Sequence, residues 1–329
     1  MATTVVATTS IRWGILDTGR PYLRFKNIND KNIDSREKKI EQIFHIESQE
    51  AYVHLSVKVY KSWKSLVLSS DIDAINVAIL NDNDFEWLIK AIDAGKHIVL
   101  ESPVILNVSQ ILLIKDRAAK QNVKVQEGFL NYFHQQYSRI KELLETSIIG
   151  QVENVKASYS FSKALMRKDI KDFGATRQIG PHLIHTFRGF FGFNAKTVNA
   201  VVQTIEDGID LSVSGSFDFG RGKNGQFNIC FDEKPKFDYL IIGTRGIIRC
   251  QKQWHGPANN YEISCWADNG INFTEHYEQN LCYLFELNHF SSHIHNHSAA
   301  TLSLFDGHYN FVTYQALIDS IVRSKTILI

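Results

Sequence analysis

The sequence predicts a two-part α/β protein: a doubly wound N-terminal domain with a parallel sheet, then a domain built on a large, mainly antiparallel sheet. Three observations predict it. Short apolar runs alternate with amphipathic helical stretches over residues 1–125, the pattern of β-α-β units. From Gly150 onward, apolar and polar side chains alternate in several successive runs, the pattern of strands with one covered face. The length, 329 residues, suits two domains with sizeable cores.

The elements follow in order. Residues 11–16 are a short apolar run ending in a Gly-bearing turn over 17–20, which suits a buried strand. A second run, 74–80, follows the polar Ser69, Ser70 and Asp71. A third, 97–100, follows Ala94-Gly95-Lys96, where Gly95 reads as a helix C-cap. Between the last two, Phe85, Leu88, Ile89 and Ile92 recur at helical spacing. Strand, helix and strand with short connections predict a right-handed parallel unit. Residues 111–121 predict another amphipathic helix and 123–125 a further strand. Alternation over 152–160, 197–203, 211–219, 226–231 and 239–242 predicts the second sheet, with a helix over 181–191 among the strands. The implied division is 1–125, 126–308, and a terminal helix in 309–329 packing back on the first domain.

Composition narrows the function classes. With 36 basic against 35 acidic side chains, the chain lacks the charge of a nucleic-acid binder that works by bulk electrostatics. Cys230, Cys250, Cys265 and Cys282 form no CxxC pair, so neither a zinc ribbon nor a disulfide framework is indicated. Free thiols fit a reducing compartment. No apolar run approaches the ~18–20 residues that span a bilayer. Residues 1–10 lack the basic start and apolar core of a signal peptide. These features predict a cytoplasmic protein with a small-molecule ligand, no nucleic-acid partner and no membrane partner.

Particular stretches resemble a known family. Asp71-Ile72-Asp73-Ala74-Ile75-Asn76-Val77-Ala78 is similar to the strand "D-I-D-A-V-x-I-A" of the glucose-fructose oxidoreductase, inositol dehydrogenase and MocA (Gfo/Idh/MocA) family. Residues 91–103, with Ala94-Gly95-Lys96-His97 and Glu101-Ser102-Pro103, resemble its "A-L-x-A-G-K-H-V-L-C-E-K-P". Residues 129–132 and 147–152 resemble the stretch closing its first domain, and Gly180-Pro181-His182-Leu183-Ile184-His185 resembles its "D-x-G-P-H-x-I-D". The resemblance implies an NAD(P)-dependent sugar or polyol oxidoreductase. It also implies a homodimer or homotetramer formed through the open face of the antiparallel sheet, where Val213, Phe217 and Phe219 are apolar positions.

The cofactor positions depart from that pattern. A dinucleotide site wants three small residues after the first strand, and the aligned positions are Asp17, Gly19 and Tyr22. A carboxylate at Asp17 would meet the diphosphate at a cost of about 4 kcal/mol for like charges ~4 Å apart at an effective dielectric near 20. Residues 23–34 have neither the length nor the pattern for a helix followed by an apolar strand. Ser35 and Arg36 resemble the pair that meets an NADP 2′-phosphate; the other reading is that Ser35 caps a helix over 37–44. The residues therefore predict a degenerate site with no cofactor, NADP or NAD being the alternative.

The catalytic positions depart too. Ser102 stands where the family motif has lysine, and a serine hydroxyl has no charge to depress an alkoxide's pKa. Gln178 stands where the family has aspartate, while His182 keeps its place and His185 takes that of a second polar residue. His182 and His185, at i and i+3, are expected to share one face as general acid–base and helper. Glu101, Arg177 and Tyr132 are candidate substrate contacts. The histidines of 288–298 suit a polar loop or edge strand rather than a metal site, so no metal is expected. The reading of the residues is a relative without normal hydride transfer, binding a small sugar-like ligand or running a cofactor-free acid–base reaction on His182. The alternative is an active NADP-dependent sugar, polyol or diol oxidoreductase.

Overall fold

The computed structural model describes residues 11–16, 41–45, 59–60, 62–77, 82–102, 104, 106–162, 174–232, 236–251, 261–277, 282–298 and 308–329. Its elements in chain order are β1 (Arg12–Leu16), β2 (Glu41–His45), β3 (Val59–Tyr60), α1 (Trp63–Val67), β4 (Ala74–Val77), α2 (Asp82–Asp93), β5 (His97–Glu101), α3 (Val108–Gln121) and β6 (Val125–Gly128). A 3-10 turn (Leu130–Phe133) leads to α4 (Gln135–Glu145), β7 (Val152–Ser162) and α5 (Ala175–Phe191). Then come β8 (Thr197–Glu206), β9 (Ile209–Gly220), β10 (Lys223–Asp232), β11 (Lys236–Gly243), β12 (Gly246–Gln251), β13 (Tyr261–Ala267) and β14 (Asn272–Tyr277). The chain closes with α6 (Cys282–His295), α7 (His308–Arg323) and β15 (Ile327–Leu328). Two compact units result: Met1–Gly128 with Glu286–Gly307, and Phe129–Phe285 with His308–Ile329.

The first unit holds a sheet of order β3-β2-β1-β4-β5-β6. Strands β1, β4, β5 and β6 run parallel, as the apolar runs separated by helices predict. A bidentate pair ties β1 to the start of β4: Arg12 Nε and Nη2 donate to Asp73 at 2.9 and 2.7 Å. Burial pushes the Asp73 carboxyl up, but the Arg12 hydrogen bonds outweigh it and hold it below its ordinary value. Lys96 donates to the carbonyls of Ser69 and Ile72, both at 2.7 Å, closing the turn before β4. Trp13, fully buried, packs on Phe290 of α6 at 5.9 Å and donates its indole N–H to Ser291 Oγ at 3.1 Å. Helix α6 therefore covers one face of this sheet.

Two local expectations fail in this unit. In place of a helix over 37–44, residues 41–45 form β2, antiparallel to β1, with Gly14 opposite Ile43. The pairing satisfies the row of backbone groups that a helix would leave open along β1. The stretch 288–298 is largely the end of α6, not a loop or edge strand. His289 and His293 are one turn apart in it, their ring centroids separated by 4.5 Å.

The second unit holds a nine-stranded sheet of order β14-β13-β12-β11-β7-β10-β9-β8-β15. It is mixed rather than wholly antiparallel, because β7 and β10 run parallel. Helix α5 lies on its covered face. Phe187 seats on Gly225, where a Cβ would come within 2.6 Å of its ring, and Phe191 meets Phe219 at 4.2 Å. Val213, Phe217 and Phe219 are consequently at most 2% exposed and cannot form an association surface. The opposite face is mixed: Asn199, Ser216, Gln226 and Lys156 share one register row across β8, β9, β10 and β7, while Val201 and Trp266 on the same face are exposed.

Helix α5 begins at Ala175, six residues before the predicted start, with Pro181 inside it. The reason is a carboxylate from β9: Asp210 accepts from the Thr176 amide at 2.7 Å and its hydroxyl at 2.6 Å. This supplies the acceptor that the cap residue Gly174 lacks. Helix α7, expected on the first domain, packs instead on α5 and β8, with Tyr314 and Leu317 beside Gly180. The apolar stripe of α7 meets that of α5 there, and the part of α6 from Glu286 on joins the first unit.

Candidate functional site

In the second unit, Gln178, His182 and His185 fall at i, i+4 and i+7 along α5 and so form one stripe. His185 is buried under a parallel stack with Phe129, ring centroids 4.1 Å apart, and Phe129 turns its edge to His182 at 5.6 Å. Tyr132 adds an edge contact to His185 at 6.0 Å, and Tyr137 closes the stack at 6.3 Å. Burial, reinforced by the charge of Arg188, pushes His185 down to about 3. His185 is therefore a neutral ring at physiological pH. His182 is half-buried, more open than His185 on the same stripe. Among the described residues, neither Gln178 Oε1 nor His185 Nδ1 has a hydrogen-bond partner, so the stripe offers buried polar atoms to a ligand.

A hydroxyl hub fixes the stripe from behind. Thr186 donates to the His182 carbonyl at 2.9 Å and accepts from Asn131 Nδ2 at 2.9 Å and from Tyr239 at 3.2 Å. Arg177 lies about 100° round the helix from Gln178, on the side where its charge is felt by Tyr314 of α7. The structure thus joins Gln178, His182, His185 and Tyr132, and sets Arg177 apart from them. Sequence reasoning missed Phe129, Thr186 and Asn131 as members. The one signal for Phe129 was its place at the start of the stretch that resembles the close of the family's first domain.

In the first unit, the carboxyl ends of β1, β4, β5 and β6 share one edge, the place where open α/β sheets bind ligands. Glu101 ends β5 and Ser102 follows, 7% and 6% exposed. The Ser102 amide donates to the Gly128 carbonyl at 3.1 Å, extending the β5–β6 ladder by one bond. On the other side of β1, antiparallel β2 begins with Glu41 opposite Leu16, where a doubly wound sheet would end a parallel strand. Asp17, Gly19, Ser35 and Arg36 lie outside the described residues.

Comparison with known proteins fits this geometry. Residues 12–129 match the family model described as "Oxidoreductase family, NAD-binding Rossmann fold", and residues 137–249 match the GFO/IDH/MocA C-terminal domain. The chain belongs to the Gfo/Idh/MocA oxidoreductase family. It is 24% identical over 214 residues to D-xylose 1-dehydrogenase (NADP(+)) 2 of Haloferax volcanii, a match spanning 64% of each chain. Among solved structures it resembles the aldose-aldose oxidoreductase of Caulobacter crescentus complexed with glycerol, at 18% identity and TM-score 0.71, covering 82% of this chain and 83% of that one. It also resembles levoglucosan dehydrogenase in complex with NADH and levoglucosan, at 19% identity and TM-score 0.69, covering 82% and 84%. An NAD-binding family does not support the expectation that no cofactor is used. Among the described residues no helix is long and apolar enough to cross a membrane, and no group of three His, Cys, Asp or Glu could hold a metal ion.

Proposed function

We propose that this Gfo/Idh/MocA member is an NAD(P)-dependent oxidoreductase of a sugar, polyol or diol hydroxyl, with His182 moving the hydroxyl proton. The observation that carries the reading is the α5 stripe, in which neutral Gln178 and the buried, neutral His185 flank the half-buried His182. Support comes from the family match and from relatives whose names describe dehydrogenases. The nicotinamide, when bound, supplies the hydride acceptor. Gly19 would let the backbone approach its diphosphate, with Ser35 and Arg36 toward the ribose and Asp17 the one position that opposes it.

The chain's own residues divide the remaining work. Neutral Gln178 orients a hydroxyl by hydrogen bonds without contributing charge. Tyr132 is kept as a neutral donor, its phenol raised by burial and then by Glu145. His182 takes the hydroxyl proton in oxidation and returns it in reduction. Ser102, at the carboxyl end of β5, can donate or accept one hydrogen bond there.

The test is binding and turnover measured together. Thermal shift with NADPH and NADH is expected to show stabilisation, since a ligand at 100 times its Kd adds about 2.7 kcal/mol. His182→Gln is expected to retain binding and lose turnover. A second reading has support from Ser102 and Gln178, both uncharged where the family motif is charged. In it, His182 runs a cofactor-free acid–base reaction, and turnover without either nucleotide would favour it.

A further inference from the structure

Beneath α6, the sheet of the first unit carries an unusual group of buried polar side chains. Asn76, Val99 and Gln126 are register partners across β4, β5 and β6, so their side chains leave the sheet on one face. Glu101 and Gly128, two residues further along β5 and β6, pair with each other on that same face. It is the face covered by α6, because Glu286 lies against Gly128: a Cβ there would sit 3.2 Å from Glu286 Oε1 and 3.4 Å from Oε2. Asn76 and Gln126 are completely buried, and Glu286 is 1% exposed.

Among the described residues, both polar atoms of Asn76, both of Gln126, and Glu286 Oε1 have no hydrogen-bond partner. Five such atoms on one buried face call for ordered water, because an unmet buried polar atom costs about 1–3 kcal/mol. Two carboxylates here could not both stay ionised without a cation. The residue after Glu101 is Ser102, not the lysine of the family motif.

We propose that Glu101 and Glu286 share one proton through water held by the Asn76 and Gln126 amides, making a buried proton store at the carboxyl edge of β5. Burial first, and then the charge of Glu101, hold the Glu286 carboxyl well above its ordinary value. Of the other charged groups nearby, Glu127 alternates to the opposite face of β6, and His289 and His293 lie one and two turns along α6. The shared proton follows from this unit alone.

Infrared spectroscopy of the full chain without nucleotide tests the pair directly. A protonated-carboxyl C=O band is expected to persist at neutral pH, shift in D2O and vanish in Glu286→Gln. In Glu101→Gln it should titrate at lower pH, because the like charge is gone. No such band in the wild type, or a band unchanged in Glu286→Gln, would overturn the proposal. If a variant fails to fold by near-ultraviolet circular dichroism, the wild-type titration decides alone. A persistent band in a protein that neither binds nor turns over NAD(P) would refute the oxidoreductase reading and keep the proton pair.

Discussion

Asp210 of β9 accepts both the amide and the hydroxyl of Thr176, so a strand carboxylate caps the helix that carries His182. Gly174 makes the contact possible, since a Cβ there would fall 1.8 Å from Asp210 Oδ1. Asp210→Ala is expected to cost about 1–2 kcal/mol, the worth of a helix N-cap. Urea denaturation measures it. A loss below a few tenths of a kcal/mol would show that the first turn does not depend on Asp210.

Thr186 ties Asn131 and Tyr239 to the back of α5. Thr186→Val keeps the shape but strands the buried Asn131 and Tyr239 donors, at an expected cost of about 2–4 kcal/mol. Tyr239→Phe removes a donor without stranding one, and its midpoint in urea should move less. Equal losses would contradict the hub.

The Tyr137 hydroxyl sits over Gly189, where an added Cβ would come within 2.0 Å of the oxygen but 3.2 Å of Cζ. Gly189→Ala should therefore destabilise by about 1–3 kcal/mol through overpacking. Removing the oxygen in Gly189→Ala/Tyr137→Phe should recover most of that loss in thermal melts. Additive damage would place the strain elsewhere.

Burial lowers His185 to about 3 and His134 to about 4, from an ordinary 6.5. Between those values and 6.5 the unfolded chain binds more protons than the folded one, so stability falls as pH falls. The expected slope is about 1.4 kcal/mol per pH unit for each fully buried histidine. Denaturation series at pH 7, 6 and 5 read it, and His185→Gln should flatten the slope. An unchanged slope would mean that His185 is hydrated.

Ser102 and Gln178 stand where the family motif has a cation and an anion. Restoring both, in Ser102→Lys/Gln178→Asp, is expected to raise kcat/KM for a polyol at least about tenfold, within the range of general acid–base effects. Single replacements should help less, because each restores only one of the two charged groups of the family motif. Unchanged kinetics would point to a different proton path.

Much of this was legible in the sequence because the physics there is local. The Ala74–Val77 and His97–Glu101 strands announce themselves as apolar runs next to Asp73 and Lys96, whose side chains close their own turns. What failed depended on distant partners. Residues 41–45 became a strand because β1 offered an open edge, and α5 began early because Asp210 arrives from β9. Val213, Phe217 and Phe219 showed the right alternation for strand β9, but alternation alone does not say which face α5 covers. On α5, the shared face of His182 and His185 could be read from their spacing. The neutrality of His185 could not, because it arises from rings contributed by Phe129, Tyr132 and Tyr137.

The return of the chain to its first unit at Glu286 makes that unit discontinuous in sequence. A truncation ending at Gly128 would strip Phe290 and Ser291 from Trp13, baring an indole that is otherwise fully buried. Such a fragment is expected to aggregate, so any effort to isolate the nucleotide half must splice α6 back on through an engineered linker.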